Sequence, residues 1–244
     1  MEINLTIDRG NTAVKAAVWH GDELLDVESE RNGSAALLAL RLKERYGLFA
    51  SAIYCSVASV GDDMAALESC ARRFIRLDCS TPVPLSVDYA TPRTLGVDRI
   101  AAAVGARSVV GESRAALVID VGTAVTYDIL TADNHYLGGN IAPGIFMRLK
   151  AMHDFTAALP AVETDGAIPV WGYDTPTAMR SGAIRGVAAE AAYFRSLAPA
   201  GAATVITGGS CNLIVDSGLL DFDFITDNNL VHKGLNSILQ YNED

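Results

Sequence analysis

The sequence predicts an α/β protein made of two similar domains, and three observations carry that reading. Residues 3–18, INLTIDRGNTAVKAAV, run as an apolar strand into Asp-Arg-Gly-Asn-Thr and leave it as a second apolar strand. Residues 116–130, ALVIDVGTAVTYDIL, repeat the pattern of strand, aspartate, glycine turn and strand. Asp8 and Asp120 stand 112 residues apart in a chain of 244, a period too long for a solenoid and suited to duplication of a whole domain.

Each half is justified element by element. Residues 2–8, 12–19 and 23–29 read as three consecutive strands by their apolar alternation. SAALLALRLKERYG, 34–47, has leucines at helical spacing, Ser34 as its N-cap and Gly47 as its stop. AIYCSV, 52–57, is a short buried strand, followed by a helix near 62–73 and a strand at FIRLD, 74–78. A Pro-containing loop, 80–96, leads into a helix from about Asp98 to Val110. The pattern then restarts with the second hairpin and a third strand at NHYLGG, 134–139. Helices follow near 144–158 and 175–197, then a strand at ATVITGG, 203–209, and a last helix near 230–240. The expected domains are 1–112 and 113–244, with the boundary in VVGESRAA.

Composition narrows the function. Half the residues are hydrophobic and a fifth are charged, as in an ordinary globular protein. Nineteen Lys and Arg face 29 Asp and Glu, a net charge of −10 with no basic run, which argues against a nucleic-acid partner. Cys55, Cys70, Cys79 and Cys211 show no CxxC spacing and read as reduced, mostly buried thiols. His20, His135, His153 and His232 are scattered, fit no metal spacing and receive no role. Asp8 and Arg9 interrupt any secretory h-region, and the longest uncharged run, Tyr46 to Gly61, falls short of the ~20 apolar residues of a membrane span. The expectation is a cytoplasmic protein with no membrane partner.

The hairpin tips carry the chemistry. A glycine in a tight turn leaves no side chain to block a ligand, and successive backbone N–H groups form a concavity suited to phosphate oxygens. The hydroxyls of Thr12 and Thr123 add donors. A carboxylate beside phosphate calls for a cation between them, so Asp8 or Asp120 faces a metal that bridges to a nucleotide. A third turn, Thr-Gly-Gly in VITGGS, 205–210, exposes backbone in the same manner. Two such hairpins and a Gly-Gly turn converging on one cleft resemble the duplicated actin-like ATPase fold of sugar and acetate kinases, heat-shock proteins and actin. No GxxxxGK[ST] and no GxGxxG is present, so P-loop and Rossmann readings find no support.

Further motifs narrow the resemblance. LGVDRIAAA contains Gly96-Val97-Asp98-Arg99, and LGGNIAPGI contains Gly138, Gly139, Pro143 and Gly144. With IDRGNT, IDVGTAVTYD and DTPTAMRSG, these resemble type III pantothenate kinase in order and spacing across essentially the whole chain. That family phosphorylates the primary hydroxyl of pantothenate in the first step of coenzyme A biosynthesis. The resemblance implies ATP with Mg²⁺, and a potassium or ammonium ion, as requirements.

It also implies site roles. Asp8, Arg9, Gly10, Asn11, Thr12, Ala13, Val14 and Lys15 form the first phosphate-binding segment, with Asp8 holding Mg²⁺ through water. Gly96, Val97, Asp98 and Arg99 form the pantothenate-binding motif, and Tyr89 is a substrate-contacting tyrosine. Asp120 is the ligand of the monovalent cation and Thr123 an ATP contact. Thr175 is a substrate-contacting threonine reached across a homodimer interface. The proton acceptor is Asp98, and an aspartate, ordinarily ionised at neutral pH, suits that task. Arg99 has the planar fork to pair with a substrate carboxylate.

Simpler readings stand beside these. Asp98 opens a predicted helix, where capping favours Asp, and Thr175 could cap the next one. Tyr89 could be loop packing, and Gly138 and Gly139 could serve close packing alone. Arg9 departs from the small or apolar residue usual in the family, and either reaches toward phosphate or folds back onto a carboxylate. Two other functions compete: a kinase for another small alcohol, and a catalytically idle regulator derived from this fold.

Overall fold

The computed structural model describes residues 2–58 and 61–243. The chain forms two compact units. The first runs to Ser113, regains Asn134–Tyr136, and takes the C-terminal segment from Asn229; the second comprises Arg114–Asp133 and Leu137–Asn228.

In the first unit, β1 (Asn4–Arg9), β2 (Ala13–His20), β3 (Glu23–Arg31), β4 (Phe49–Ser56) and β5 (Ala71–Arg76) make a sheet of order β3-β2-β1-β4-β5. β1 is antiparallel to β2 and parallel to β4. Because side chains alternate along a strand, Leu5 and Ile7 face one side while Thr6 and Asp8 face the other. The first side packs on α1 (Ala35–Tyr46) through Val14, Ala16, Leu38, Leu42 and Phe49. Ser34 caps that helix, its side chain accepting from Leu37 N–H, and Gly47 ends it at a φ of 85°. The helix expected near 62–73 is only α2 (Met64–Glu68), because from Ala71 the chain pairs with β4 as an edge strand. Sheet pairing there outweighs local helix propensity. β6 (Ser86–Val87) pairs in parallel with His135 and Tyr136, and α3 (Val97–Val110) follows a single 3-10 turn.

The second unit repeats the plan. β7 (Ala116–Val121), β8 (Ala124–Leu130), β9 (His135–Pro143), β10 (Ala203–Thr207) and β11 (Ile225–Thr226) lie in the order β11-β10-β7-β8-β9. In each sheet a hairpin of the first two strands sits beside two later parallel strands. α4 (Ile145–Asp154), α5 (Thr175–Leu197) and the short α6 (Asn212–Val215) complete the unit. Its core joins Leu117, Ile119, Val125 and Tyr127 of the sheet to Leu149 of α4 and Val187 of α5.

The last helix, α7 (Leu230–Tyr241), packs on α3 in the first unit. The two helices meet backbone to backbone: a methyl group on Gly105 would collide with the Leu230 carbonyl, and one on Gly234 with the Ala101 carbonyl. These units differ from the contiguous division 1–112 and 113–244 in two places, since the first unit also takes Asn134–Tyr136 and the final helix.

Candidate active site

The first hairpin presents its carboxylate on a defined face. Register sets Asp8 opposite Lys15 of β2 and beside Cys55 of β4, so these three residues form a row across three strands. That face packs toward α3 and α7, with Cys55 fully buried there. The turn closes by a bond from Gly10 N–H to the Ala13 carbonyl at 3.0 Å, and Asn11 and Thr12 stand exposed at its apex.

Arg9 points the other way. Its Nη1 donates to the Gly33 carbonyl, and its Nε lies 3.8 Å from Asp62. The Asp62 carboxylate also accepts from the Tyr54 hydroxyl at 2.6 Å and from Ala35 N–H at 3.2 Å. Burial, reinforced by the bond to Asp62, pushes the Tyr54 phenol up to about 12, which keeps it a donor. Of the two destinations the sequence left open for Arg9, the side chain takes the fold-back, while its carbonyl accepts from Val57 N–H at 3.1 Å within the sheet.

The GVDR segment begins α3. Gly96 is the N-cap residue, and Asp98 Oδ1 accepts from Arg99 N–H at 2.8 Å. A methyl group on Gly96 would lie 2.5 Å from that same Oδ1, so the glycine makes room for the carboxylate. Arg99 is buried, with its guanidinium 6.0 Å from the centre of the Tyr89 ring, a cation–π distance. Tyr89 and Arg99, named separately from sequence, are thus one stacked pair. His135, given no role from sequence, bonds Asp88 at 2.7 Å next to Tyr89.

Cys55 was legible only as a buried thiol. Burial chiefly, and then the charges of Asp8 and Asp98, raise its pKa well above the ordinary thiol value. Both carboxylates therefore bear on one neutral sulfur, which is unreactive in that state. No sequence signal could have placed it there, since the row depends on parallel register between β1 and β4.

The second unit assembles three motifs around its own hairpin. Gly122 N–H bonds the Ala124 carbonyl at 2.9 Å, and Thr123 is exposed at the apex. Gly144 N–H bonds the Thr123 carbonyl at 3.0 Å, and a methyl on Gly144 would collide with the carbonyls of Gly122 and Thr123. Gly208, at a φ of 101°, sits so close that a methyl would strike Asp120 Oδ1 and lie 2.5 Å from the Val121 carbonyl oxygen. Ser210 N–H bonds that carbonyl at 2.9 Å. The hairpin, the Pro-Gly of LGGNIAPGI and the Thr-Gly-Gly turn are therefore contiguous. Gly139 fits the packing reading, pressed onto the Tyr127 carbonyl and Asp128.

Thr175 is the first residue of α5 and is exposed, but it is not the cap. Asp174 caps the helix by accepting from Thr177 N–H at 2.8 Å, while Thr177 Oγ1 accepts from Asp174 N–H at 3.2 Å. The Thr177 bonds hold the Asp174 carboxyl below its ordinary value. The Thr175 hydroxyl is left to solvent or a ligand.

The family model for type III pantothenate kinase matches residues 4–195. The chain is 41% identical over 245 residues to the type III pantothenate kinase of Phocaeicola vulgatus, covering 99% of both chains. Among solved structures, a Baf family transcriptional activator from Campylobacter jejuni superposes with a TM-score of 0.61 at 22% identity, covering 98% of each chain. The activator of the 2-hydroxyisocaproyl-CoA dehydratase from Clostridium difficile, with bound ADPNP, does so at 0.60 and 14%, covering 98% of this chain and 93% of that one. These two likenesses fix the fold as actin-like ATPase. The full-length identity and the family model fix the family: the chain belongs to the type III pantothenate kinases.

Proposed function

We propose that this chain transfers the γ-phosphoryl group of ATP to the primary hydroxyl of pantothenate, with Asp98 as the proton acceptor. The observation that carries the reading is the start of α3, where Gly96 clears space for the Asp98 carboxylate and Arg99 lies against Tyr89. Phosphoryl transfer is chiefly positioning and charge stabilisation. Asp98 takes the proton as the hydroxyl oxygen attacks the γ-phosphorus, and the bond to the bridging oxygen breaks to release ADP. Arg99, planar and permanently charged, pairs with the substrate carboxylate, and Tyr89 holds the guanidinium in place.

The Gly10 and Gly122 N–H groups close the two turns, and the other backbone N–H groups of both hairpin tips bind phosphate oxygens, with Thr12, Lys15 and Thr123 adding side-chain donors. The residues suit hard cations. Asp120 Oδ1 and the Val121 carbonyl oxygen lie together against Gly208, an all-oxygen donor set for potassium or ammonium. No group of three or more His, Cys, Asp or Glu able to hold a metal occurs among the described residues. That fits Mg²⁺ held by nucleotide phosphates, water and one carboxylate, Asp8. When bound, the cations offset the charge that builds on the phosphate oxygens.

A homodimer is part of this reading. Phe155 and Trp171 are 88% and 86% exposed on the second unit, and Tyr173 beside Thr175 is exposed as well. Large aromatic side chains left in water support a protein partner, and a second copy would bring Thr175 to the substrate of the first. No helix among the described residues is long and apolar enough to cross a membrane; a cytoplasmic location is our reading.

The test is ADP formation with ATP, Mg²⁺ and either pantothenate or a panel of other small alcohols, in potassium and then sodium buffer. Turnover restricted to pantothenate and dependent on potassium is expected. A folded, ADP-binding protein that turns over another alcohol, or none, would overturn the assignment.

A further inference from the structure

Behind the second hairpin lies a polar network that the phosphoryl-transfer chemistry does not use. Arg148, the fourth residue of α4, donates from Nε to the Pro143 carbonyl at 2.8 Å. Its Nη2 donates to both carboxylate oxygens of Glu190 on α5, at 2.7 and 2.6 Å. The Tyr127 hydroxyl of β8 donates to Glu190 at 3.1 Å. Tyr127 is fully buried, and burial with the Glu190 charge raises its pKa, so it remains a donor.

These bonds close a ring. It leaves β8 at Tyr127, crosses Glu190 and Arg148, and reaches the Pro143 carbonyl. The next residue, Gly144, bonds Thr123 and touches the Gly122 carbonyl. Thr123 immediately precedes β8, four residues before Tyr127. The apex is thereby fixed relative to its own strand through two helices. A hairpin tip tied only by its turn bond would be free to tilt, and phosphate cradles need their N–H groups aimed.

We infer that Arg148, Glu190 and Tyr127 are positioning residues that hold the Gly122–Thr123 apex in its nucleotide-binding conformation. The inference rests on the reading of that apex as a phosphate cradle. None of the three touches the nucleotide; they act through Pro143 and Gly144. Arg148 is the keystone because one guanidinium serves both the carbonyl and the carboxylate, a geometry that lysine cannot reproduce.

The experiment measures ADP·Mg²⁺ affinity by calorimetry for the wild type, Arg148→Lys, Arg148→Ala, Glu190→Gln and the double variant Arg148→Ala/Glu190→Gln. Amide hydrogen exchange over residues 118–146 accompanies it. Arg148→Ala is expected to weaken ADP at least fivefold, with Arg148→Lys recovering little of it. Glu190→Gln, which keeps the side-chain shape, is expected to weaken ADP about threefold, and the double variant no more than Arg148→Ala alone, as for groups acting as a unit. The Gly122 and Gly144 amides should exchange faster, while the pantothenate KM stays within twofold. Unchanged ADP affinity in folded variants would overturn the inference, as would equal losses for both substrates. Binding is read without turnover, so a wild type that binds ADP but ignores pantothenate sinks the proposed function and leaves this inference standing. A wild type that binds no nucleotide sinks both.

Discussion

The two hairpins share a sequence pattern and differ in what holds their tips. The first is propped by side chains: Arg9 turns away from the apex to meet Gly33 and the buried Asp62, which Tyr54 also grips. The second is enclosed by backbone, with Gly144 on one side and Gly208 on the other, each too close to accept a methyl group. Duplication conserved the strand order of the sheets but not the means of fixing the ligand-facing turn. A tip fixed by backbone contact tolerates almost no added atom, whereas one fixed by an ion pair depends on side-chain chemistry.

The sharpest way to break this comparison is an added methyl. Gly208→Ala combines a left-handed φ with collision against Asp120 and Val121, and is expected to lose about 3 kcal/mol of stability and at least tenfold in ADP affinity. Thermal unfolding and calorimetry would read both. At the first hairpin the side-chain prop is the vulnerable part. Arg9→Gln leaves the Asp62 carboxylate buried beside only neutral donors, and an expected loss of about 2 kcal/mol should appear in urea unfolding.

Acid should separate the units further. In the first, His232 is fully buried, with Nδ1 2.8 Å from Thr6 Oγ1, and burial first, then the Lys15 charge, lowers it to about 3. A histidine whose folded pKa lies below its unfolded value near 6.5 binds its proton only on unfolding. Stability therefore falls as pH drops from 6.5 toward 3, by about 2 kcal/mol between pH 6.5 and 5. His232→Gln should flatten that slope in unfolding measured against pH; an unaltered slope would show that His232 does not control it. The smallest effect belongs to Gly10→Ala. Its methyl would meet the Ala13 carbonyl at an ordinary 3.4 Å, so stability should change by less than about 1 kcal/mol. A loss as large as that of Gly208→Ala would erase the contrast between the tips.

Much of this was legible in the chain and some was not, for identifiable reasons. The hairpins, the 175–197 helix and the Ser34 cap follow from alternation, periodicity and capping chemistry, all of which are local. The region after Asp63 misled because its helical pattern yields at Ala71 to pairing with β4, a partner distant in sequence. The return of α7 to the first unit rests on two glycines, Gly105 and Gly234, whose meeting no spacing rule announces. At the site, the GVDR and hairpin residues were visible as motifs, and the stacking of Tyr89 on Arg99 joins two of them. Cys55 under the charges of Asp8 and Asp98, and the Arg148 ring, were invisible because each depends on register or helix packing rather than on neighbouring residues.

Gly96 links the local and the chemical levels, since its missing side chain admits the carboxylate on which the proposed reaction depends. The most direct measurement is therefore formation of phosphorylated pantothenate, followed by mass spectrometry, by wild type and Asp98→Asn in potassium with ATP and Mg²⁺. ADP affinity would be measured on the same samples. The expected result is product from the wild type, kcat lower by roughly 10²- to 10⁴-fold in Asp98→Asn, and ADP binding within threefold. Full activity in Asp98→Asn would contradict the role of that carboxylate, and a wild type that binds ADP yet makes no phosphorylated pantothenate would contradict the reaction itself.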